Sequence, residues 1–306
     1  MAGRKHLLLW LAFAAGIGSQ PRLAAAQDYT VYAAGDIAYC DHPDPTWSGA
    51  AATASLVEAA LARNRDAAVL LLGDITYPRG TLREFTECYH PTWGRFKQRT
   101  FPSPGNHEYL TRGARGYFDY FGSAAGPGYY RLTLGSWQVY SLDSNLAPGP
   151  AAAQLAWLER ELAANPSHCT LAYWHHPLYS SGGHGSSARM LDAWKILHRA
   201  GAEIVLSGHD HDYERFAPQD AAGRFAPDGV RQFVVGTGGA FLTPFLLPLR
   251  NSEMRDNSRS GVLKLVLKDG AYAWEFLEAA YDGFPNGNAP DRGEGNCHAP
   301  RAGGLN

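Results

Sequence analysis

"AAVLLLGDITY" (Ala67–Tyr77) runs six apolar residues straight into a Gly-Asp pair. An apolar run this short, closed by glycine, reads as a strand buried on both faces. Its last residue is the informative one. Asp74 leaves the strand at its carboxyl end, where open α/β sheets place their ligands. The same construction recurs along the chain. "YTVYAAGD" ends at Asp36, "CTLAYWHH" at His175 and His176, and "AEIVLSGHDH" at His209 and His211. A loop, "PGNHEY", adds Asn106, His107 and Glu108.

Amphipathic patterns separate these strands: "SLVEAALARN", "QLAWLERELAAN" and "ARMLDAWKILHRAG" each keep a helical period. Further on, "RQFVVGTGG", "SGVLKLVLKDG" and "AYAWEFLEA" read as antiparallel strands, with a Lys-Asp-Gly turn between the last two. Alternating strands and helices followed by hairpins predict an α/β fold, a layered α/β/β/α sandwich with helices outside two sheets. "FLTPFLLPLR" (Phe241–Arg250) is apolar but broken by prolines, so it is expected to be a loop near a cleft. "GTGG" (Gly236–Gly239) lacks the lysine and following helix of a phosphate loop and reads as a turn.

Residues 1–26 combine a basic start, an apolar stretch and "LAAAQD", and are expected to be a secretory signal peptide cut near Ala26. The domain would then span 27–281, with an irregular tail over 282–306. With 27 basic against 29 acidic side chains, the chain offers no nucleic-acid-binding surface. No later segment is apolar enough to span a membrane. Four cysteines without a C-x-x-C pair, in a secreted or periplasmic setting, predict disulfides rather than a zinc–thiolate site. Three connectivities are possible and the sequence does not choose among them. Cys40–Cys88 with Cys169–Cys297 is the pairing we expect.

Taken singly, each histidine or aspartate is an ordinary structural residue. Together, five blocks of nitrogen and oxygen donors at strand ends call for a cation, because such groups are costly to gather unpaired. A thiolate-free donor set suits Fe, Mn or Zn. In order and spacing the blocks "GD" (Gly35–Asp36), "GDITY" (Gly73–Tyr77), "GNHE" (Gly105–Glu108), "HHP" (His175–Pro177) and "GHDH" (Gly208–His211) resemble the motifs of the calcineurin-like metallophosphoesterases, and specifically the purple acid phosphatases.

That resemblance implies a fold of the metallophosphoesterase type, in a short single-domain form, and two metal ions. It places one metal on Asp36, Asp74, Tyr77 and His211, and the other on Asp74, Asn106, His175 and His209, with Asp74 bridging. Many relatives carry Asp-x-His in the first block; here that histidine is replaced by Ala38, and Tyr77 supplies the missing ligand. A phenolate suits Fe(III), so the cofactors implied are Fe(III) plus a divalent Zn, Mn or Fe. His176 falls on the family's variable position, and strand alternation sends it to the opposite face or the rim.

The implied activity is hydrolysis of small-molecule phosphate monoesters, an acid phosphatase reaction in which hydroxide activated by the metals attacks phosphorus. His107 would bind phosphate, and His184 would bind substrate and act as general acid. Glu108 and Asp210 would orient imidazoles. Two other readings use the same residues: a phosphodiesterase or nucleotide hydrolase, and a metal-binding module without hydrolysis.

Overall fold

The computed structural model describes residues 28–41, 44–280 and 291–298. The signal-peptide expectation for residues 1–26 falls outside them. In chain order the first strands are β1 (Tyr29–Ala34), β2 (Ala38–Tyr39), β3 (Ala68–Leu72), β4 (Thr76–Tyr77) and β5 (Thr100–Ser103). Next come β6 (Tyr130–Leu134), β7 (Trp137–Ser141), β8 (Cys169–Tyr173), β9 (Ile204–Ser207) and β10 (Tyr213–Phe216). The last are β11 (Arg231–Val235), β12 (Ser252–Asp256), β13 (Gly261–Lys268), β14 (Ala271–Glu278) and β15 (Arg292–Asn296).

Two sheets form. A six-stranded sheet runs β15-β14-β13-β1-β3-β5, and a seven-stranded sheet runs β12-β10-β11-β9-β8-β7-β6. Each has a parallel stretch: β1, β3 and β5 along one side of the first, and β7, β8, β9 and β11 through the middle of the second. β2 and β4 make a short parallel pair beside them.

Strand alternation builds the layers. In β8, Leu171 and Tyr173 enter the core between the sheets, whereas Ala172 joins a second cluster with Leu158, Trp194 and Leu197. In β9, Ile204 and Leu206 point inward and Val205 outward in the same way. The second cluster is the contact with helices Pro148–Ala164 and Leu191–Ala200. Helix Gly49–Arg63 covers the other sheet through Ala50, Ala54, Val57 and Leu61. Its start is capped by Ser48, whose hydroxyl accepts from the Ala51 N–H. The sandwich expected from the sequence is therefore the one observed.

Strands β5, β6, β7, β10 and β12 lie in stretches the sequence reading left unassigned, and two of its assignments change. β8 stops at Tyr173, three residues before the expected end at His176. The tail read as irregular contains β15, paired antiparallel with β14. Its alternating glycines gave no strand signal, yet they are what lets it pair. A Cβ on Gly293 would lie 2.3 Å from the Trp274 ring, and one on Gly295 2.5 Å from the Tyr272 ring. Cys40–Cys88 and Cys169–Cys297 are the disulfides. Among the described residues, no helix is long and apolar enough to cross a membrane.

Candidate metal centre

The parallel strands of both sheets end at one place, and their last residues turn sharply. Asp36, Asp74 and His209 adopt φ of 59°, 47° and 75°, a left-handed conformation uncommon outside glycine. Each turn lifts a side chain off its strand into the space between the sheet ends.

Two donor groups result. In the first, the Tyr77 hydroxyl lies 2.7 Å from Asp36 Oδ1, 3.0 Å from His211 Nε2 and 3.4 Å from Asp74 Oδ2. In the second, His175 Nε2 lies 3.2 Å from Asp74 Oδ2, 3.1 Å from Asn106 Oδ1 and 3.2 Å from His209 Nδ1. Asp74, His175 and His209 each offer a ligand atom within 4.8 Å of the others. Asp74 Oδ2 belongs to both groups.

The remaining atoms of these residues are used to aim them. Asp36 Oδ2 accepts from the His209 N–H at 2.8 Å, and Asp74 Oδ1 from the His107 N–H at 2.8 Å. Each carboxylate is thus held by one oxygen and presents the other. His175 Nδ1–H donates to the Leu72 carbonyl and His211 Nδ1–H to the Phe241 carbonyl, which leaves each Nε2 free to ligate. Seven donor side chains of hard or borderline type fit a pair of cations.

The charges in this space are strongly perturbed. Burial acts to raise the Asp36 carboxyl, but the neighbouring His211 and His175 charges and the Tyr77 hydrogen bond hold it well below its usual range. Burial pushes the Tyr77 phenol far up, and the Asp36 and Asp74 charges add to it. A phenolate at Tyr77 therefore requires a cation beside it. Burial and then the Asp74 charge raise Glu108 to about 8.

The supporting residues act through backbone amides. The Glu108 carboxyl accepts from the Ile75, Thr76 and Gly105 N–H groups and so ties the Asp74 turn to the Asn106 turn. Asp210 also works on backbone. It accepts from the His184 and Gly185 N–H groups and from the Ser180 hydroxyl, anchoring the loop that carries His184.

His184 is exposed, with its ring 4.7 Å from that of His209 and 6.0 Å from that of His211. His107 packs 4.4 Å from the Tyr77 ring and points Nε2 to within 3.9 Å of Asp74 Oδ2. His176 lies beside the donors, not across the sheet from them. β8 has ended before it, so alternation no longer applies, and its ring lies 4.4 Å from His209. Burial, then the His175 and His209 charges, push its imidazole down to about 2. Neutral, it shares a hydrogen bond with Ser144 and buttresses His209. Ser144 has no motif around it that could have marked it in the sequence.

A two-sheet α/β sandwich with a doubled donor set at its strand ends defines the class. The Calcineurin-like phosphoesterase family profile matches residues 29–213, and the chain belongs to that family. It is 29% identical over 219 residues to Purple acid phosphatase 15 of Arabidopsis thaliana, a match covering 58% of this chain and 41% of that protein. It is 29% identical over 97 residues to Tartrate-resistant acid phosphatase type 5 of Rattus norvegicus, covering 31% and 27%. The chain therefore spans less than half the length of these curated relatives.

Among solved structures, a purple acid phosphatase from yellow lupin seeds superposes with TM-score 0.62 at 18% identity, covering 88% of this chain and 54% of that one. GAP50, described as the anchor in the inner membrane complex of Plasmodium, superposes with TM-score 0.66 at 13% identity, covering 90% of both. At these identities the likeness shows the fold alone.

Proposed function

We propose that the protein is a binuclear metal-dependent phosphatase that hydrolyses small phosphate monoesters. One observation carries this reading: Asp74 Oδ2 reaches Tyr77 on one side and His175 on the other, at 3.4 and 3.2 Å. A single carboxylate oxygen shared between two donor groups is the arrangement of a bridging ligand. Asp36, Asp74, Tyr77 and His211 would hold Fe(III), and Asp74, Asn106, His175 and His209 a divalent Zn, Mn or Fe. When bound, such a pair supplies Lewis-acid activation of water and of the phosphoryl group.

The side chains around the pair supply the rest. His107 faces Asp74 from the solvent side and binds a phosphoryl oxygen. As a water oxygen bonds to phosphorus, the ester P–O bond breaks and its electron pair goes to the leaving oxygen. His184 protonates that oxygen. An anchoring module has no use for an exposed imidazole fixed over the donors by a buried carboxylate. We further propose that the protein works outside the reducing cytoplasm; its two disulfides favour an oxidising compartment.

Metal analysis with a visible spectrum tests the centre, and a panel of aryl phosphate, bis-aryl phosphate and nucleotide across pH tests the reaction. Two equivalents of metal including iron, a phenolate absorption band and monoester turnover are expected. Colourless protein holding two zinc or manganese ions overturns the iron assignment. Preferred turnover of the bis-aryl ester or nucleotide points to the phosphodiesterase or nucleotide hydrolase instead.

A further inference from the structure

Residues 240–249, "AFLTPFLLPL", carry no charged side chain, and they lie against the centre rather than away from it. At one end, the Ala240 N–H donates to the Asp36 carbonyl at 2.9 Å and the Thr243 N–H to the His211 carbonyl at 3.0 Å. At the other, Leu246 N–H donates to the Ser181 carbonyl and Leu249 N–H to the Ser181 hydroxyl, at 2.8 and 2.9 Å. The segment is a strap that runs from the first donor group to the loop bearing His184.

Its apolar side chains are left open to solvent. Phe241 is 59% exposed although its ring sits 4.7 Å from the His211 ring. Tyr39 is 38% exposed; its ring lies 6.0 Å from Phe241, edge to face, and 5.9 Å from Tyr77. Leu246 and Leu247 are exposed at 63% and 87%. Two aromatic rings held half open at the rim form a wall, with no charge on the strap to recognise a polar leaving group.

The direction of the leaving group follows from the phosphatase reading, on which this inference rests. With phosphate over the donors and the leaving oxygen facing His184, the rest of the alcohol passes between the His184 loop and the strap. We propose that Phe241 and Tyr39 select phosphate monoesters whose leaving alcohol carries an aromatic ring near the ester oxygen. Ring-on-ring contact and removal of apolar surface from water would stabilise such an ester over a small or polar one.

Ethyl phosphate and 2-phenylethyl phosphate test this, because their leaving oxygens are chemically alike and only the ring differs. The metal-loaded protein should favour the phenyl ester in kcat/KM about tenfold. It should also bind 2-phenylethylphosphonate, which cannot be hydrolysed, about tenfold more tightly than ethylphosphonate by calorimetry. Phe241→Ala, which keeps the carbonyl that His211 uses, and Tyr39→Ala on a separate element should each bring both ratios toward one. Phe241→Trp should preserve them. Equal use of the two esters by the unaltered protein, or ratios unchanged in both alanine variants at full metal content, overturns the inference and leaves the phosphatase standing. If neither ester is hydrolysed, the phosphatase reading itself fails, and the inference with it.

Discussion

Asp210 lies between two donor residues in the chain but directs its carboxylate backwards, to the amides of His184 and Gly185. A residue that holds a loop rather than a metal gives a distinct signature when removed. Asp210→Ala should cost turnover on the order of tenfold or more while both metals stay bound, and the amides of residues 184 and 185 should exchange hydrogen faster. His184→Ala should also keep both metals and lose about 10²–10⁴ in kcat. Full activity in that variant would remove His184 from the reaction. Tyr77→Phe should abolish the visible band and weaken the first metal, read by absorbance and metal content. At this scale Asp36, Asp74, His175, His209 and His211 stood out in the sequence because each follows a predictable strand, while Asn106 and Tyr77 were singled out as ligands only by the family resemblance. The partners of Glu108, Asp210 and His176 were not legible, since they are backbone amides or a serine distant in sequence, which residue type does not announce.

The element that closes the centre from below is the crossing of β11 into its glycine bend. A Cβ on Gly236 would lie 2.0 Å from the Asp210 carbonyl oxygen and 2.8 Å from Asp36 Oδ2. "GTGG" leaves β11 as an irregular bend, and its first glycine is there for space. Gly236→Ala must push either the Asp210 backbone or the Asp36 carboxylate. It should cost at least about 1–3 kcal/mol in stability and reduce metal content, measured by thermal unfolding and metal analysis. The central strands β1, β3, β8 and β9 and the three long helices were readable from period, with shifted ends, whereas β5, β6, β7, β10 and β12 were not read at all. Helix Gly49–Arg63 begins six residues before the pattern that betrayed it, because alanines carry no period. β15 escaped because its pairing depends on rings of a neighbouring strand.

Across the whole molecule, one ionisable group far from the centre makes stability depend on pH. Burial raises Glu203 to about 8, although it accepts from the Thr170 and His298 N–H groups. Unfolded, it titrates at the usual glutamate value of 4.5. The folded state therefore holds a proton that the unfolded state has lost between these values. Its contribution is complete below about pH 4.5 and is lost as pH rises through 8, at no more than about 1.4 kcal/mol per pH unit. Glu203→Gln should flatten the fall in melting temperature across that window; an unchanged slope would show that the carboxyl is ionised when folded. Breaking Cys169–Cys297 by serine substitution at both positions should cost about 2–5 kcal/mol, read by denaturant unfolding.

That disulfide and the donor groups bear on each other. Cys169 opens β8 in one sheet, and Cys297 follows β15 in the other. The strand ends opposite bring Asp36, Asp74 and Asn106 from the first sheet against His175, His209 and His211 from the second. The sandwich behaves like a book with a sewn spine and a clasp, the spine covalent and the clasp ionic. Chelation should undo only the clasp, letting the covers part at the fore-edge while the binding holds. Reduction alone should leave a metal-loaded protein shut. Only the two treatments together should free the leaves, so their effects on unfolding should exceed the sum of each applied singly.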